Sequence, residues 1–402
     1  MESLRELYRI GSGPSSSHTM APKRAAEIFR ERTPNATHYR VTLFGSLAAT
    51  GVGHLTDRAI QSALQPVPLE LIWKPDEWLP LHPNGMEFMA FHNTDTETPF
   101  AVWRVYSVGG GALRDEFTVS RPVQVYQLQT MKDLVAWGNQ TSQPLWRYVE
   151  AQESTSIWEY LSSVWQTMKA AILRGIEMEG VLPGVLKLER KSPVFFNKTK
   201  HRSLLQRTGR LFAYALAVSE ENAAGGVIVT APTCGSCGVL PAVLYYLQLA
   251  EDFPDETILQ ALATAGLIGN IVKTNGSISG AAVGCQGEIG TACAMAAGAA
   301  TQLLGGSTEQ IEYAAEMGFE HHLGLTCDPV CGLVQIPCIE RNAFAAARAL
   351  DSAKYAMLAG GTHRITFDDV VQTMMETGND LKNSYRETST GGLAKLHRPQ
   401  PE

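Results

Sequence analysis

The sequence lacks cysteine in its first half and tryptophan in its second half. All seven cysteines of the 402-residue chain lie between Cys234 and Cys338, and all seven tryptophans lie between Trp73 and Trp165. The chain therefore divides into two regions of different composition, and its length allows two or three domains.

An excess of positive charge is also missing. The chain has 33 lysine and arginine residues against 40 aspartate and glutamate residues, which gives a net charge of −7 at pH 7. It has no basic surplus of the kind that binds a phosphate backbone or an anionic bilayer, so nucleic acid is not an expected partner. Because 45% of the residues are hydrophobic and 18% are charged, wholesale disorder is excluded.

No apolar run is long enough to span a membrane, and residues 1–13 carry charges where a signal peptide needs an apolar stretch. We therefore expect a cytoplasmic protein without a membrane partner. In that reducing compartment, an odd set of seven cysteines is expected to be buried, metal-bound or catalytic rather than disulfide-bonded.

Residues 1–138 mix strand and helix patterns and predict an α+β domain. Helical spacing predicts helices over residues 19–32 and 46–64. The polar residues 139–153 are expected to form an irregular linker. β-Branched and aromatic residues predict strands at residues 38–44, 70–73, 86–92 and 99–108, the last two forming a hairpin connected by residues 93–98.

Beyond the linker, strand patterns almost disappear, and residues 154–402 are predicted to form an all-α catalytic domain. Fourteen of the 36 glycines lie between Gly225 and Gly306, often beside serine, threonine, asparagine or cysteine. Glycine at a helix start lets the backbone approach a ligand closely. The predicted helices cover residues 154–178, 202–220, 241–249, 256–271, 287–304, 308–322, 339–358 and 366–384.

The cysteines allow three interpretations from the residues alone. Cys293 lies in an alanine-rich helix and is expected to pack as a small hydrophobic residue. A second interpretation pairs Cys234-x-x-Cys237 with Cys327-x-x-x-Cys331 as a four-thiolate structural zinc site, because both spacings are allowed.

The third interpretation takes Cys285, Cys327 and Cys338 as ligands of an iron–sulfur cluster. Each lies in a loop that contains glycine or proline. Three ligands on a four-iron cluster leave one iron open, as a Lewis-acid catalyst requires. Spacing alone does not select these three, because ligands so far apart do not form a local ferredoxin-like run.

Eight motifs spread over nearly the whole chain carry a family resemblance. In the second region they are GGVIVTAPTCGSCGVLPAVL, NGSISGAAVGCQGEIGTACAMAAG, EHHLGLTCDPVCGLVQIPCIERNAF and ETSTGGLA, which begin at residues 225, 275, 320 and 387. In the first region they are IGSGPSSSHTMAP, GHLTD, HPNGM and YSVGGG, which begin at residues 10, 53, 82 and 106. The first set resembles the α portion of the iron–sulfur-dependent bacterial L-serine dehydratases, and the second set resembles the β portion. The β-then-α order over nearly the whole chain is similar to the single-chain form.

The resemblance implies conversion of L-serine to pyruvate and ammonia at an oxygen-sensitive [4Fe–4S] cluster held by Cys285, Cys327 and Cys338. It also implies a regulatory-type first domain and an active site where the two portions meet, and a homodimer is the expected assembly. Many relatives carry a cysteine just after the GGLA segment, whereas KLHRPQPE follows here. The fourth iron is therefore expected to be open to water or substrate.

His54, in the GHLTD motif, is the predicted base that removes the Cα proton, because a base should be neutral near pH 7. Asp57 is expected to orient its ring, and His18 is the second candidate. Hydroxyls and free N–H groups at the predicted helix start are expected to hold the substrate carboxylate, although ordinary helix capping is the alternative. These residues are Ser15, Ser16, Ser17 and Thr19. The other predicted pocket residues are His82, Asn84, Thr233, Gly235, Ser236, Asn275, Ser277 and Ser279.

Two rival functions remain. A pyridoxal-phosphate enzyme performs the same net reaction through a lysine Schiff base, and Lys273, just before TNGSISG, is its candidate lysine. The other rival is a serine-sensing binding protein with structural zinc. The pyridoxal-phosphate interpretation leaves the cysteine loops unexplained.

Overall fold

The computed structural model describes residues 1–92, 98–115, 123–199 and 203–397. The strands in these ranges are β1 Ile10–Ser12, β2 His38–Phe44, β3 Leu69–Lys74, β4 Gly85–Phe91, β5 Ala101–Ser107, β6 Leu113–Asp115 and β7 Val227–Val229. The helices are α1 Ala21–Arg32, α2 Gly45–Thr50, α3 Thr56–Leu64, α4 Met131–Thr141, α5 Leu145–Gln152, α6 Ile157–Glu177, α7 Ser192–Lys198, α8 Ser203–Ala223, α9 Val239–Glu251, α10 Asp255–Asn275, α11 Gly280–Val283, α12 Thr291–Leu303, α13 Thr308–Glu320, α14 Cys338–Ala359, α15 Phe367–Asp380 and α16 Gly392–Leu396. The expected fold class, α+β followed by all-α, is confirmed.

The first region is built on a five-stranded sheet in the order β3-β2-β4-β5-β6. β2 and β3 are parallel, and the other neighbouring strands are antiparallel. Phe29 of α1 and Ile60 of α3 pack with Val41 and Phe88 of the sheet in one hydrophobic core. The predicted strands are confirmed, while the predicted β4–β5 connection lies largely outside the described residues.

The helix predicted over residues 46–64 is interrupted. Its two parts are α2 and α3, and between them Leu55 takes a left-handed backbone conformation with φ of 57°. The intervening backbone packs closely on the helical region, since a Cβ on Gly53 would lie 2.6 Å from the carbonyl oxygen of Gly332. The interruption carries His54 into a buried position at this contact.

The second region is organised around α12, which contacts α9, α10, α13 and α14. Alanine and glycine on α12 let these helices approach closely: a Cβ on Gly298 would lie 2.2 Å from Cδ1 of Ile268. The helices predicted beyond residue 153 are present, with ends shifted by a few residues. No helix among the described residues is long and apolar enough to cross a membrane.

Residues 139–153 are helical, and the prediction of irregular structure there is wrong. They contain the end of α4 and all of α5, which begins after Pro144. Leu145, Tyr148 and Val149 are buried in the helical core. Only one side of each of these short helices is apolar. The composition of the segment is therefore polar on average, although its apolar side is packed in the core.

The N-terminal residues pack with the helical region rather than with the sheet that follows them. Met1, Leu4, Leu7 and Tyr8 are buried in the helical core. β1 then pairs antiparallel with β7, with Ile10 opposite Val229. This pairing delivers the next residues of the chain, 14–19, to the boundary between the two regions.

Candidate active site between the sheet and the helices

A small buried cavity of about 20 Å³ lies where the two regions meet. Its volume suits about one water molecule. Most of the residues that line it come from loops or helix ends that are far apart in the sequence. Its polar lining consists of Ser15, His54, Cys285, Glu288, Cys327, Cys338 and Glu387.

Three of these residues are the predicted ligands Cys285, Cys327 and Cys338, and all three are buried. The Sγ atoms of Cys285 and Cys327 lie 3.7 and 4.0 Å from the same Oε2 of Glu288. A hydrogen bond with Cys285, together with burial, raises the pKa of Cys327 well above its usual value. Burial and then the charge of Cys285 do the same for the pKa of Cys338. The three thiols thus share one buried electrostatic environment.

One cation balances this group. Arg341 lies one turn into α14, and its guanidinium donates to the carbonyl oxygen of Thr326 at 2.6 Å. Burial opposes its charge, but the neighbouring Cys285, Cys338 and Cys327 raise its pKa above the usual value. A fixed positive charge beside three thiols favours their ionised form.

Two carboxyl groups complete the cavity, and neither was predicted from the sequence. Burial raises the pKa of Glu288, and burial together with the charge of Glu288 raises the pKa of Glu387 well above its usual value. Glu288 had a detectable signal, because it is the only charged residue between Asn275 and Thr308. An isolated charge in such an apolar, glycine-rich stretch indicates a specific role.

Glu387 is held against Cys327 through the backbone. Cys327 N–H donates to the carbonyl oxygen of Tyr385 at 2.8 Å, and Glu387 N–H donates to the carbonyl oxygen of Cys327 at 2.7 Å. Glu387 has a φ of 56°, in the left-handed region that costs energy for a residue with a side chain. The ETSTGGLA segment thereby brings a carboxyl group to a thiol 60 positions earlier.

His54 is fully buried, and neither of its ring nitrogens has a hydrogen-bond partner. Burial lowers its pKa to about 3, so the ring is neutral at pH 7. Neither ring nitrogen donates to the Asp57 carboxylate, so the expected orientation of the ring by Asp57 is absent. The backbone is held instead, since Thr19 Oγ1 donates to the His54 carbonyl oxygen at 2.7 Å. A neutral imidazole with a free nitrogen in a cavity is suited to accept a proton.

His18 lies beside His54, with the ring centroids 4.5 Å apart, but both of its nitrogens are engaged. Nδ1 is 2.8 Å from Ser17 Oγ, and Nε2 is 3.1 Å from Ser46 Oγ. Ser46 Oγ donates to the Glu387 carbonyl oxygen at 2.9 Å. That hydroxyl therefore accepts from His18, which places the ring proton on Nε2 and makes Nδ1 an acceptor from Ser17.

Burial, followed by the neighbouring His54, lowers the pKa of His18 well below its usual value. Its backbone is fixed by Thr56 Oγ1, which donates to the His18 carbonyl oxygen at 2.5 Å. The hydroxyls of Thr19 and Thr56 thus tie each histidine segment to the other.

The serine-rich start of the predicted helix is a wide helical turn, Ser16–Met20, that continues into α1. Ser15 caps it, with Oγ accepting from His18 N–H at 3.0 Å, and Ser15 also lines the cavity. Ser16 and Ser17 are buried as well. Ser15 therefore both caps this turn and lines the cavity.

The structure brings part of the remaining predicted set to the cavity. Gly235 lines it, and a Cβ there would lie 3.4 Å from Glu288 Oε1. The Thr233 side chain lowers the pKa of Glu288, against the larger opposite effect of burial. Ser236 is buried in the same turn, where its Oγ lies 3.1 Å from Thr233 Oγ1.

Other predicted residues lie around the cavity or apart from it. The ring of His82 accepts from Asn84 N–H, and burial lowers its pKa to about 4. Asn84 is fully buried, and neither polar atom of its side chain has a partner. Asn275 is exposed and donates to the carbonyl oxygen of Gln129. Ser277 accepts from Ser279 N–H within its own turn, and the Ser279 hydroxyl is buried without a partner.

Cys331 of the zinc interpretation and Lys273 of the pyridoxal-phosphate interpretation are not among the residues that line the cavity. Among the described residues, Cys327 forms a compact ligand group with Cys285 and Glu288, and not with Cys331. The Lys273 amine is paired with Glu2 at 2.5 Å and is not among the residues that line the cavity.

A buried cavity that combines thiols, a neutral histidine and carboxyl groups is the candidate site of an enzyme that acts on a small molecule. The family model "serine dehydratase alpha chain" matches residues 87–394, and the model "serine dehydratase beta chain" matches residues 3–70. The chain belongs to the serine dehydratase family, which confirms the resemblance of its motifs.

Several relatives match over nearly their full length. An L-serine dehydratase of Streptomyces coelicolor is 40% identical, and the alignment covers 98% of each chain. L-serine dehydratase 1 of Escherichia coli is 39% identical over 98% of this chain and 99% of its own. An L-serine dehydratase of Helicobacter pylori is 34% identical over 98% of each chain.

Proposed function

We propose that this protein converts L-serine to pyruvate and ammonia by β-elimination. The names of its full-length relatives support this reaction. The observation that carries the proposal is a neutral histidine, His54, with two free ring nitrogens in the same cavity as three thiols.

The proposed cofactor is a [4Fe–4S] cluster with Cys285, Cys327 and Cys338 as ligands. The chemistry of the donor set fits it, because the three thiols are buried around one cavity beside the guanidinium of Arg341. The cavity, at about 20 Å³, has to widen to hold the cluster and the substrate. When bound, such a cluster supplies an open iron that acts as a Lewis acid on the hydroxyl group of serine. All seven cysteines are free thiols, which supports the proposed reducing cytoplasmic location.

His54 is the proposed general base. The Cα–H bond of serine breaks as His54 takes the proton. The electron pair of that bond forms the Cα=Cβ double bond, and hydroxide leaves from Cβ. Because burial lowers the pKa of His54, its ring is neutral and unprotonated at pH 7. The aminoacrylate that is released tautomerises to an imine, and water then liberates ammonia.

His18 is the proposed positioning residue. Its ring is locked by Ser17 and Ser46, so it has no free nitrogen for the substrate proton. It holds the turn of Ser15, and we propose that the Ser15 hydroxyl and the free N–H groups of this turn bind the substrate carboxylate. The unpartnered amide of Asn84 supports a further hydrogen bond to substrate.

Anaerobic reconstitution with iron and sulfide, followed by a pyruvate assay on L-serine, tests the proposal. The expected result is a brown protein with about four irons and four acid-labile sulfides per chain that forms pyruvate. Cys327→Ala should lose colour and activity. The matched control is Cys293→Ala, because Cys293 is buried on α12 outside the cavity and should be dispensable.

Two results would contradict the proposal. If iron-loaded protein forms no pyruvate from L-serine, the proposed reaction is wrong. If activity persists without iron and is lost on treatment with borohydride, the proposed cluster is wrong and a Schiff base on a lysine is indicated.

A further inference from the structure

His18, His54 and Glu387 form a group of metal-ligating side chains that does not include the three thiols. One ligand atom of each lies within 4.8 Å of the other two, and all three residues are buried. They come from the turn before α1, the interruption between α2 and α3, and the ETSTGGLA segment. Two histidines and one carboxylate are a ligand set that binds divalent transition metals.

The distance between two of these ligand atoms matches that of two ligands on one metal ion. Two atoms that each bind a metal at about 2.1 Å are about 3.4 Å apart at a tetrahedral angle. Nδ1 of His18 and Oε1 of Glu387 are 3.5 Å apart. The ring of His54 lies beside this pair, with its centroid 4.5 Å from that of His18.

His18 presents an unprotonated nitrogen to this group. Its bond to Ser46 places the ring proton on Nε2, so Nδ1 is an acceptor. A histidine that binds metal through one nitrogen usually donates its other ring N–H in this way. The present donor to Nδ1 is Ser17 Oγ at 2.8 Å, which also lies 3.3 Å from Ser15 Oγ. The Ser17 hydroxyl can therefore turn to Ser15 and leave Nδ1 to a metal.

The other two side chains lack the partners that buried polar groups normally have. Neither ring nitrogen of His54 has a hydrogen-bond partner. Glu387 is 7% exposed, and no lysine or arginine in the described part of the chain forms an ion pair with it. Unpartnered polar groups at a buried position indicate a place for an ion or ligand. A divalent cation satisfies both the imidazole nitrogen and the carboxylate.

We propose that His18, His54 and Glu387 bind one divalent transition-metal cation, such as zinc, at a site separate from the ligands of the proposed cluster. The bound cation occupies the nitrogen of His54 that takes the proton in the proposed reaction. It therefore inhibits turnover in competition with L-serine. This inhibition rests on the proposed function, whereas the binding of the metal does not.

Cobalt(II) titration of a full-length variant without the three thiols tests the site. The variant carries Cys285→Ser, Cys327→Ser and Cys338→Ser, so cobalt cannot bind to thiolates at the cluster position. The expected result is about one cobalt per chain, with visible d–d absorption and no thiolate charge-transfer band. Adding His54→Gln should weaken cobalt binding by about 100-fold or more, because even the loss of a supporting residue costs about 10- to 100-fold.

The matched control adds His322→Gln to the same thiol-free variant. Nδ1 of His322 bonds the Gly318 carbonyl oxygen at 2.7 Å, and His322 does not belong to the proposed site. This substitution should leave cobalt binding unchanged, and circular dichroism checks the folding of each variant. If the thiol-free variant does not fold, calorimetric zinc titrations of reconstituted wild-type and His54→Gln proteins replace it, with the same difference expected.

Zinc should also inhibit pyruvate formation by the reconstituted wild-type protein in competition with L-serine. The colour of the cluster should persist, and a chelator should restore activity. Cobalt binding is measured without turnover, so it decides the metal site even if the proposed reaction is wrong.

A folded thiol-free variant that binds no cobalt would overturn the proposal. So would a thiolate charge-transfer band, equal affinity with and without His54→Gln, or an equal loss of affinity in the His322→Gln control. Turnover that zinc does not inhibit would overturn the inhibitory role.

Discussion

Replacing His54 by glutamine removes the proposed base while retaining a polar side chain of similar size. The imidazole makes no hydrogen bonds, so no bond is lost and the free energy of unfolding should change by about 1 kcal/mol or less. A general base contributes about 10²- to 10⁴-fold to a rate. The barrier should therefore rise by about 3–5 kcal/mol.

The comparison with His18→Gln makes the experiment specific. That substitution removes the ring that bonds Ser17 and Ser46, and at about 1 kcal/mol for each bond the protein should lose about 2 kcal/mol of stability. His54→Gln should instead lose activity at normal stability. Both variants are reconstituted anaerobically and assayed for iron, pyruvate formation and urea unfolding.

A His54→Gln protein with normal iron content and a rate within tenfold of wild type would refute the assignment of the base. A His18→Gln protein of unchanged stability and negligible rate would transfer the role to His18.

Three further predictions follow from the same geometry. His54 has a pKa of about 3 when folded against an ordinary value of 6.5, so the unfolded chain binds the extra proton and stability is lost as pH falls from about 6.5 towards 3. Between pH 6 and 4, the stability of His54→Gln should therefore improve relative to wild type by about 1.4 kcal/mol per pH unit, measured by urea unfolding. Gly298→Val should destabilise the protein by about 1–3 kcal/mol or more in thermal unfolding, because even a Cβ would lie 2.2 Å from Ile268. Asn275→Ala should keep kcat/KM within about twofold of wild type, since the Asn275 side chain is exposed and bonds Gln129. A tenfold loss would support the prediction that Asn275 binds the substrate.

The long helices were predictable because their apolar periodicity extends over many turns. α5 was not, since it has only eight residues and one buried side. The interruption before α3 was also missed, although it decides where His54 lies. Its cause is a close approach of Gly53 to Gly332, which is a contact between distant segments and has no local signal.

Some features of the candidate site were predictable from the sequence and others were not. The motifs indicated the loops of Cys285 and Cys327, and the structure places both at one cavity. The expected orientation of His54 by Asp57 was wrong, because proximity along the chain did not produce a hydrogen bond. The link from His18 through Ser46 to Glu387 joins residues 341 positions apart, which no spacing rule detects.

That last link has a consequence for the order of events during synthesis. Ser46 leaves the ribosome first, and its partner Glu387 follows 341 positions later. At typical rates of about 5–20 residues per second, the interval between them is on the order of tens of seconds. During that time His18 and His54 have been synthesised, but the segment that contains Glu387 has not. Assembly of the proposed cluster is therefore expected to follow synthesis of Glu387 rather than synthesis of the histidine segments.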